Sequence, residues 1–439
     1  MLRYYFRLGL LSIRANPALS ALMIAAIAIG IGACMTIVTV RHVMADNPIE
    51  HKNDQLFHVQ VDNWNPNNPY GEPNEPPEQV TYLDATALLE AARAHRQVIS
   101  FKSSRVVQPD DEEILPFQEG VRATSADFFA MFDVPFKYGS GWDAEADRAE
   151  ERVVVLSSAM NERLFGGEDS TGRMITMNNE PYRIAGVLDE WRPMPKFYDL
   201  NNNPYEDPEE IFTPFSVAVS GEWGSWGNNS CWKPVEEGGY EGYLASECIW
   251  IQMWVELPTT ADREAYAQFL DDYVMQQKEL GRFPRPLNNR LSTPEEWMLN
   301  QEVVDEMVSV LLSLSALFLV VCLLNTIGLL LAKVIRRQND ISLRRALGAS
   351  KGELFRQYIV EAGMIGVAGG LAGIGMTWLG LRGIENVFSG YDFVIYLVTM
   401  DWQMVSLAVL LAIVSALAAA LYPTWRACSV SPATTLRIQ

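Results

Sequence analysis

Residues 15–40 read ANPALSALMIAAIAIGIGACMTIVTV, without one charged side chain. A helix of that length rises roughly 39 Å, more than the ~30 Å of a bilayer's hydrocarbon core. Three more uncharged runs follow, at 307–332, 362–381 and 402–425. Buried helices of soluble proteins rarely reach such lengths four times in one chain. The sequence therefore predicts a membrane protein with four transmembrane α-helices. A cleaved signal peptide competes for the first run. Arg3, Arg7 and Arg14 make a basic leader, and Ile31-Gly32-Ala33-Cys34 has the form of a lipoprotein cleavage box. The apolar stretch continues past Cys34 to Val40, longer than a normal signal core, which favours a retained span.

The basic residues set the expected orientation, because they concentrate in cytoplasmic loops. They gather in three places: Arg3, Arg7 and Arg14; then Lys333, Arg336, Arg337, Arg344, Arg345, Lys351 and Arg356; then Arg426 and Arg437. Only Asp340 and Glu353 oppose them there, and Glu385–Asp401 has no Lys or Arg. Both termini are thus expected in the cytoplasm and 41–306 outside. The chain's net charge is −20, and its acidity lies in that outer stretch. The acidity argues against nucleic acid as a partner, since phosphate recognition needs a basic face.

The expected order of parts follows. An amphipathic cytoplasmic helix occupies 1–17 and the first span 18–44. A large mixed α+β domain occupies 45–292. Residues 293–333 form a stalk continuous with the second span. A cytoplasmic loop covers 334–358, the third span 359–384, a short outer loop 385–401, the fourth span 402–425 and a cytoplasmic tail 426–439. Within the large domain, Val59–Val61, Val153–Leu156 and Tyr182–Leu188 read as strands, and Ala85–Arg96 and Ala261–Leu280 as amphipathic helices. Cys231 and Cys248 are the domain's two cysteines, and an oxidising compartment lets them pair. Trp191, Trp223, Trp226, Trp232, Trp250 and Trp254 crowd into 191–254. They form either a partner surface or core and loop anchors. In the spans, Gly366 and Gly370 make a small-xxx-small pair, and Ala26 with Gly30 another. Such pairs serve a dimer interface or packing within the chain.

The chain has no G-x-x-x-x-G-K-[ST] loop for a nucleotide and no H-E-x-x-H or paired C-x-x-C. No convergent acid, base and nucleophile set is visible, so an enzyme is not expected. Ionisable residues inside the spans are almost missing, with Glu361 and Arg382 placed at the ends of span three. That argues against a proton- or ion-coupled carrier.

The basic loop carries the most specific pattern. Residues 336–358 read RRQNDISLRRALGASKGELFRQY. A short helix fits Asp340–Leu347, stopped by Gly348 at its C′ position. A second begins at Ser350 with Glu353 three residues on, a capping box, and enters span three. From the residues alone, two readings stay open. The basic hairpin docks into a groove on a soluble partner, or its charges touch lipid phosphates.

The stretch NDISLRRALGASK, 339–351, resembles the coupling segment of MacB/FtsX-type ABC transporter permeases. The order of parts is similar too, as are RVVVLS at 152–157, Leu164-Phe165-Gly166, Ile184-Ala185-Gly186-Val187 and the Tyr422-Pro423 … Ser431-Pro432-Ala433 ending. The chain departs from the pattern in its Trp-, Asn- and Pro-rich region around 191–245. The resemblance implies a permease dimer in a bacterial inner membrane, of identical or related chains, with ATP and Mg held on separate ABC ATPase subunits. ATP binding would move the coupling segment, and the spans would relay that motion outward (mechanotransmission). Ile341, Leu343, Ala346 and Leu347, with Gly348 ending the helix, would fill the ATPase groove, with Arg344, Arg345 and Lys351 as charge partners. Likeness to the family favours packing within the chain for Gly366 and Gly370. Export of a drug, peptide or other cargo would require a periplasmic adaptor and an outer-membrane channel. Lipoprotein extraction, activation of a cell-wall hydrolase, and a membrane-anchored binding protein without ATPase are the competing functions.

Overall fold

The computed structural model describes residues 2–111, 113–236, 238–387 and 402–429. The expected outer loop lies outside the described residues from 388 on, as does the tail from 430 on. The chain divides into a helical unit, 1–45 with 304–439, and a large unit, 46–303.

In the helical unit, Leu2–Ala15 is a separate helix, ended before Pro17, which opens the next one. Four helices are long and apolar enough to cross a membrane: Pro17–Met44, Glu306–Arg336, Lys351–Val387 and Val405–Trp425. Small residues set how closely they pack. A Cβ on Gly366 would lie 2.6 Å from the Ala416 methyl, and one on Gly370 would lie 2.7 Å from that of Ala412. This pair therefore seats the third span against the fourth, within the chain. Gly369 and Gly373, on another side of the same helix, admit Ile27 and Ile31 of the first span. Gly30 faces Leu319 and Cys322 of the second, while Ala26, one turn earlier, is half-buried.

The large unit is built on one mixed sheet. Its strands are β1 (Leu56–Gln60), β2 (Val80–Thr81), β3 (Arg96–Gln108), β4 (Phe117–Thr124), β5 (Phe136–Gly139), β6 (Val153–Leu156), β7 (Met174–Met177), β8 (Glu180–Leu188), β9 (Ile211–Pro214), β10 (Ile249–Glu256) and β11 (Arg290–Ser292). Their order is β11-β1-β10-β3-β4-β9-β6-β8-β5, with β2 on β10 and β7 on β3 and β8. The pairs β4–β9 and β6–β8 are parallel; the rest are antiparallel. β10, IWIQMWVE, is buried at every position, as a strand covered on both faces must be. β7 and β8 meet at Asn178-Asn179, both with positive φ, the conformation a two-residue hairpin needs and asparagine tolerates.

Two expectations need correction. The helix expected at Ala85–Arg96 runs Tyr82–Ala91. The Thr81 hydroxyl accepts the Asp84 N–H to start it, and Ala92 turns left-handed to stop it. Arg96 opens β3 and pairs with Glu256 at 2.6 Å.

The stalk is not a continuation of the second span. Thr293 and Glu296 form a capping box, with Pro294 at the first turn, around a separate helix, Pro294–Asn300. Glu302 is left-handed, and Asp305 caps a new helix at Met307. Trp297 of the short helix is buried against β1, so this segment belongs to its own unit's core.

The tryptophans are mostly core. Trp223, Trp250 and Trp254 are buried, and Trp191 stacks on Tyr198. Trp226 is the exposed one, with the Lys102 ammonium 5.2 Å from its ring. Cys231 and Cys248 are joined in a disulfide beside the Ser230–Ile249 bridge.

His58 of β1 is fully buried, stacked on Trp297 with ring centroids 3.9 Å apart. Neither ring nitrogen has a partner among the described residues. Burial lowers its pKa from the usual 6.5 to about 3. Between those values the unfolded chain takes up a proton that the folded one refuses, so stability falls as pH falls through this window. At pH 5 the loss is about 2 kcal/mol relative to pH 7. His58→Phe keeps the stacked ring and is expected to flatten this part of the acid slope. Thermal melts of the full chain at pH 7 and 5 check it; equal slopes for both proteins would refute it.

Candidate functional site

The segment between the second and third spans is a capped hairpin. Its first helix, Gln338–Ala346, ends where Gly348 adopts a φ of +104°. The Gly348 and Ala349 N–H groups then donate to the Arg345 and Arg344 carbonyls, closing the helix end. At Ser350 the capping box is complete. The Glu353 N–H donates to the Ser350 hydroxyl, and the Ser350 N–H donates to Glu353 Oε2 at 2.9 Å. The helix that starts there runs without a break to Val387.

The hairpin has an inner and an outer side. Ile341 is buried with Val334 and Leu354, and Phe355 and Tyr358 pack against them. It therefore cannot fill a partner's groove, which corrects the expectation for that residue. Helical periodicity gives the reason: 338, 341 and 345 follow one stripe of this helix, and 340, 343, 344 and 347 the opposite one. On that opposite stripe Leu343 is 55% and Leu347 80% exposed. Ala346 and Lys351 are exposed as well. Arg344 is exposed and donates to Gln357 Oε1 at 3.3 Å. Arg345 is half-buried.

Directly before the hairpin lies a buried polar cluster that the sequence reading missed. Lys333 Nζ sits 2.5 Å from Glu361 Oε1, with both side chains nearly inaccessible. Lys333 also donates to Ser20 Oγ at 3.3 Å. The Ser12 hydroxyl donates to Glu361 Oε1 at 2.6 Å and accepts from Arg337 Nη1 at 2.6 Å. These five residues come from the N-terminal helix, the first three spans and the residue that ends span two. The available signal was a lone lysine in LLLAKVI and a lone glutamate in YIVEAG. An ionisable residue within a membrane helix marks a functional position by default and needs a buried partner.

Comparison with known proteins places the chain. Residues 20–273 match the model of the MacB-like periplasmic core domain, and residues 312–432 match that of the FtsX-like permease C-terminal region. The chain is 25% identical over 257 residues to the pyoverdine export ATP-binding/permease protein PvdT of Pseudomonas aeruginosa, covering 58% of this chain and 34% of that one. It is 25% identical over 378 residues to the macrolide export ATP-binding/permease protein MacB of Rhodospirillum rubrum, covering 83% and 50%. It is 22% identical over 300 residues to the uncharacterized ABC transporter permease YknZ of Bacillus subtilis, covering 66% and 63%. In each case it spans less than two thirds of the relative. With more than half of its length matched by the core-domain model and most of the remainder by the permease model, the chain belongs to the MacB/FtsX family of ABC transporter permeases.

Proposed function

We propose that this permease couples ATP hydrolysis on a separate ABC ATPase chain, which holds ATP and Mg, to movement of its large unit, and that the hairpin 338–358 is the docking element. The observation that carries the reading is the outer stripe of that hairpin. Two large apolar side chains, Leu343 and Leu347, stand exposed on a capped helix beside basic residues. Isolated exposed leucines are ordinary. A pair at i and i+4 at the closed C-terminal end of a helix suits a hydrophobic groove in a protein partner.

The distribution of basic residues supports placing both termini in the cytoplasm and the large unit in the periplasm. Two copies of the permease work together. The exposed row Leu314, Leu317, Phe318, Val321 and Leu324 of the second span is available to the second copy and to lipid. The cargo is a periplasmic substrate exported through an adaptor and an outer-membrane channel, in keeping with the export functions named for PvdT and MacB.

Mild-detergent purification of the tagged chain from its native membrane, with mass spectrometry of everything retained, tests the reading. The expected result is a stoichiometric ABC ATPase together with a periplasmic adaptor. An ATPase accompanied by a lipoprotein or a cell-wall hydrolase would refute the export assignment. Absence of any ATPase would refute the coupling role.

A further inference from the structure

The hairpin hangs between two fixed points. Its first helix follows directly on Arg337, and its second continues into the helix that carries Glu361. Ser12 meets both fixed points at once, through one hydroxyl that accepts from Arg337 and donates to Glu361. Arg337 Nη2 adds a bond to the Ser12 carbonyl at 3.3 Å. The N-terminal helix lies hard against the same turn of the third span. A Cβ on Gly9 would lie 2.9 Å from Met364 Sδ and 3.6 Å from Glu361 Cα. Lys333 closes the arrangement from the second span and reaches Ser20 of the first.

We propose that Lys333 and Glu361 are positioning residues for the hairpin: their ion pair, linked through Ser12 to Arg337, pins the N-terminal helix Leu2–Ala15 to both ends of the hairpin, so that the two move as one body. This rests on the coupling role proposed above for what the motion achieves, while the pin itself needs no nucleotide.

Two physical points carry the proposal. Removing one partner of a buried pair strands the other charge and shifts the folding equilibrium by roughly two to four orders of magnitude. The pair therefore persists through any motion driven by less. Replacing both partners with apolar residues of similar volume, in contrast, is often neutral for stability. A network retained at the two attachment points of a moving element is thus better explained by alignment than by stability alone.

The test uses the full chain in nanodiscs, with Cys34, Cys322 and Cys428 replaced by alanine and a spin label on Leu11→Cys. Leu11 is exposed on the N-terminal helix. In the parent protein the label is expected to be slow and to report an anchored helix. In Lys333→Met with Glu361→Leu, an unchanged melting temperature and a severalfold faster label are expected. Ser12→Ala, which leaves the ion pair intact, gives a smaller gain in mobility and decides the matter should the double variant not fold.

With the co-purified ATPase added, the double variant is expected to hydrolyse ATP without the nucleotide-driven change at the large unit that the parent shows. A parent with no such change would overturn the coupling role and leave the pin standing on its label result. Equal label mobility in the parent, the double variant and Ser12→Ala would overturn the pin.

Discussion

Replacing Arg122 with methionine is expected to destabilise the large unit by about 3–5 kcal/mol, the range for breaking a buried ion pair from one side. Arg122 stands on β4 with no exposed surface, and its guanidinium contacts both Asp199 and Glu209. Burial alone would raise the Glu209 carboxyl. Arg122 and Lys196 more than offset that and hold it well below the usual carboxylate range. Tyr198 donates to Glu209 Oε2 at 3.2 Å, and Lys196 Nζ lies 3.4 Å from Glu209 Oε1. Asp199 also accepts from Gln252 at 2.8 Å and from Asn202.

Without the guanidinium, Glu209 still has Lys196, but the buried Asp199 is left with the neutral donors Gln252 and Asn202. Methionine restores most of the volume, so a loss of this size reports the charge and not a cavity. On a unit of this size it corresponds to a melting shift on the order of 10 °C. Adding Asp199→Asn and Glu209→Gln to Arg122→Met is expected to recover most of the loss, because neutral amides strand no carboxylate and Lys196 keeps Glu206 at 3.3 Å. A shift near zero in the single variant would contradict this account of the core.

The second large effect concerns the hairpin. Leu343→Asp with Leu347→Asp is expected to abolish ATPase binding. It places two carboxylates where an apolar ridge of two side chains, 55% and 80% exposed, now stands. If the ridge is fully covered in the complex, each leucine contributes roughly 1.5–3 kcal/mol of burial. The pair is then worth two or more orders of magnitude in affinity. Both positions point away from the cluster of Val334, Ile341 and Leu354, so the variant is expected to keep its melting temperature. Arg344→Glu with Arg345→Glu is expected to act differently, leaving some binding and uncoupling ATP hydrolysis from transport. Unchanged binding and unchanged transport in that second variant would remove the basic residues from the mechanism.

The membrane spans and the hairpin were legible because each is written locally. Uncharged runs, Gly348 as a helix stop and the Ser350–Glu353 cap need no distant partner. The same holds for Thr260–Glu279, opened by the Thr259–Asp262 capping box. What the sequence hid was pairing over long separations. Lys333 reads as one more positive-inside charge, and only the fold closes Glu361 and Ser20 around it. Arg122, Lys196, Asp199 and Glu209 lie on separate segments of the sequence and meet in the core. Ile341 is buried by Val334, which precedes the segment 336–358, and by Leu354, packed across the hairpin from the second helix, and neither contact follows from the short helix's own pattern. The break at 301–305 was missed because Trp297 is held by His58, far back in the chain.

A photoreactive amino acid placed at Leu347 and irradiated in native membranes tests the central claim most directly, with the same residue at buried Ile341 as the internal control. The account predicts a crosslink from position 347 to an ATP-hydrolysing subunit and none from 341. A chain that crosslinks at neither position, or from 347 to lipid alone, would contradict it.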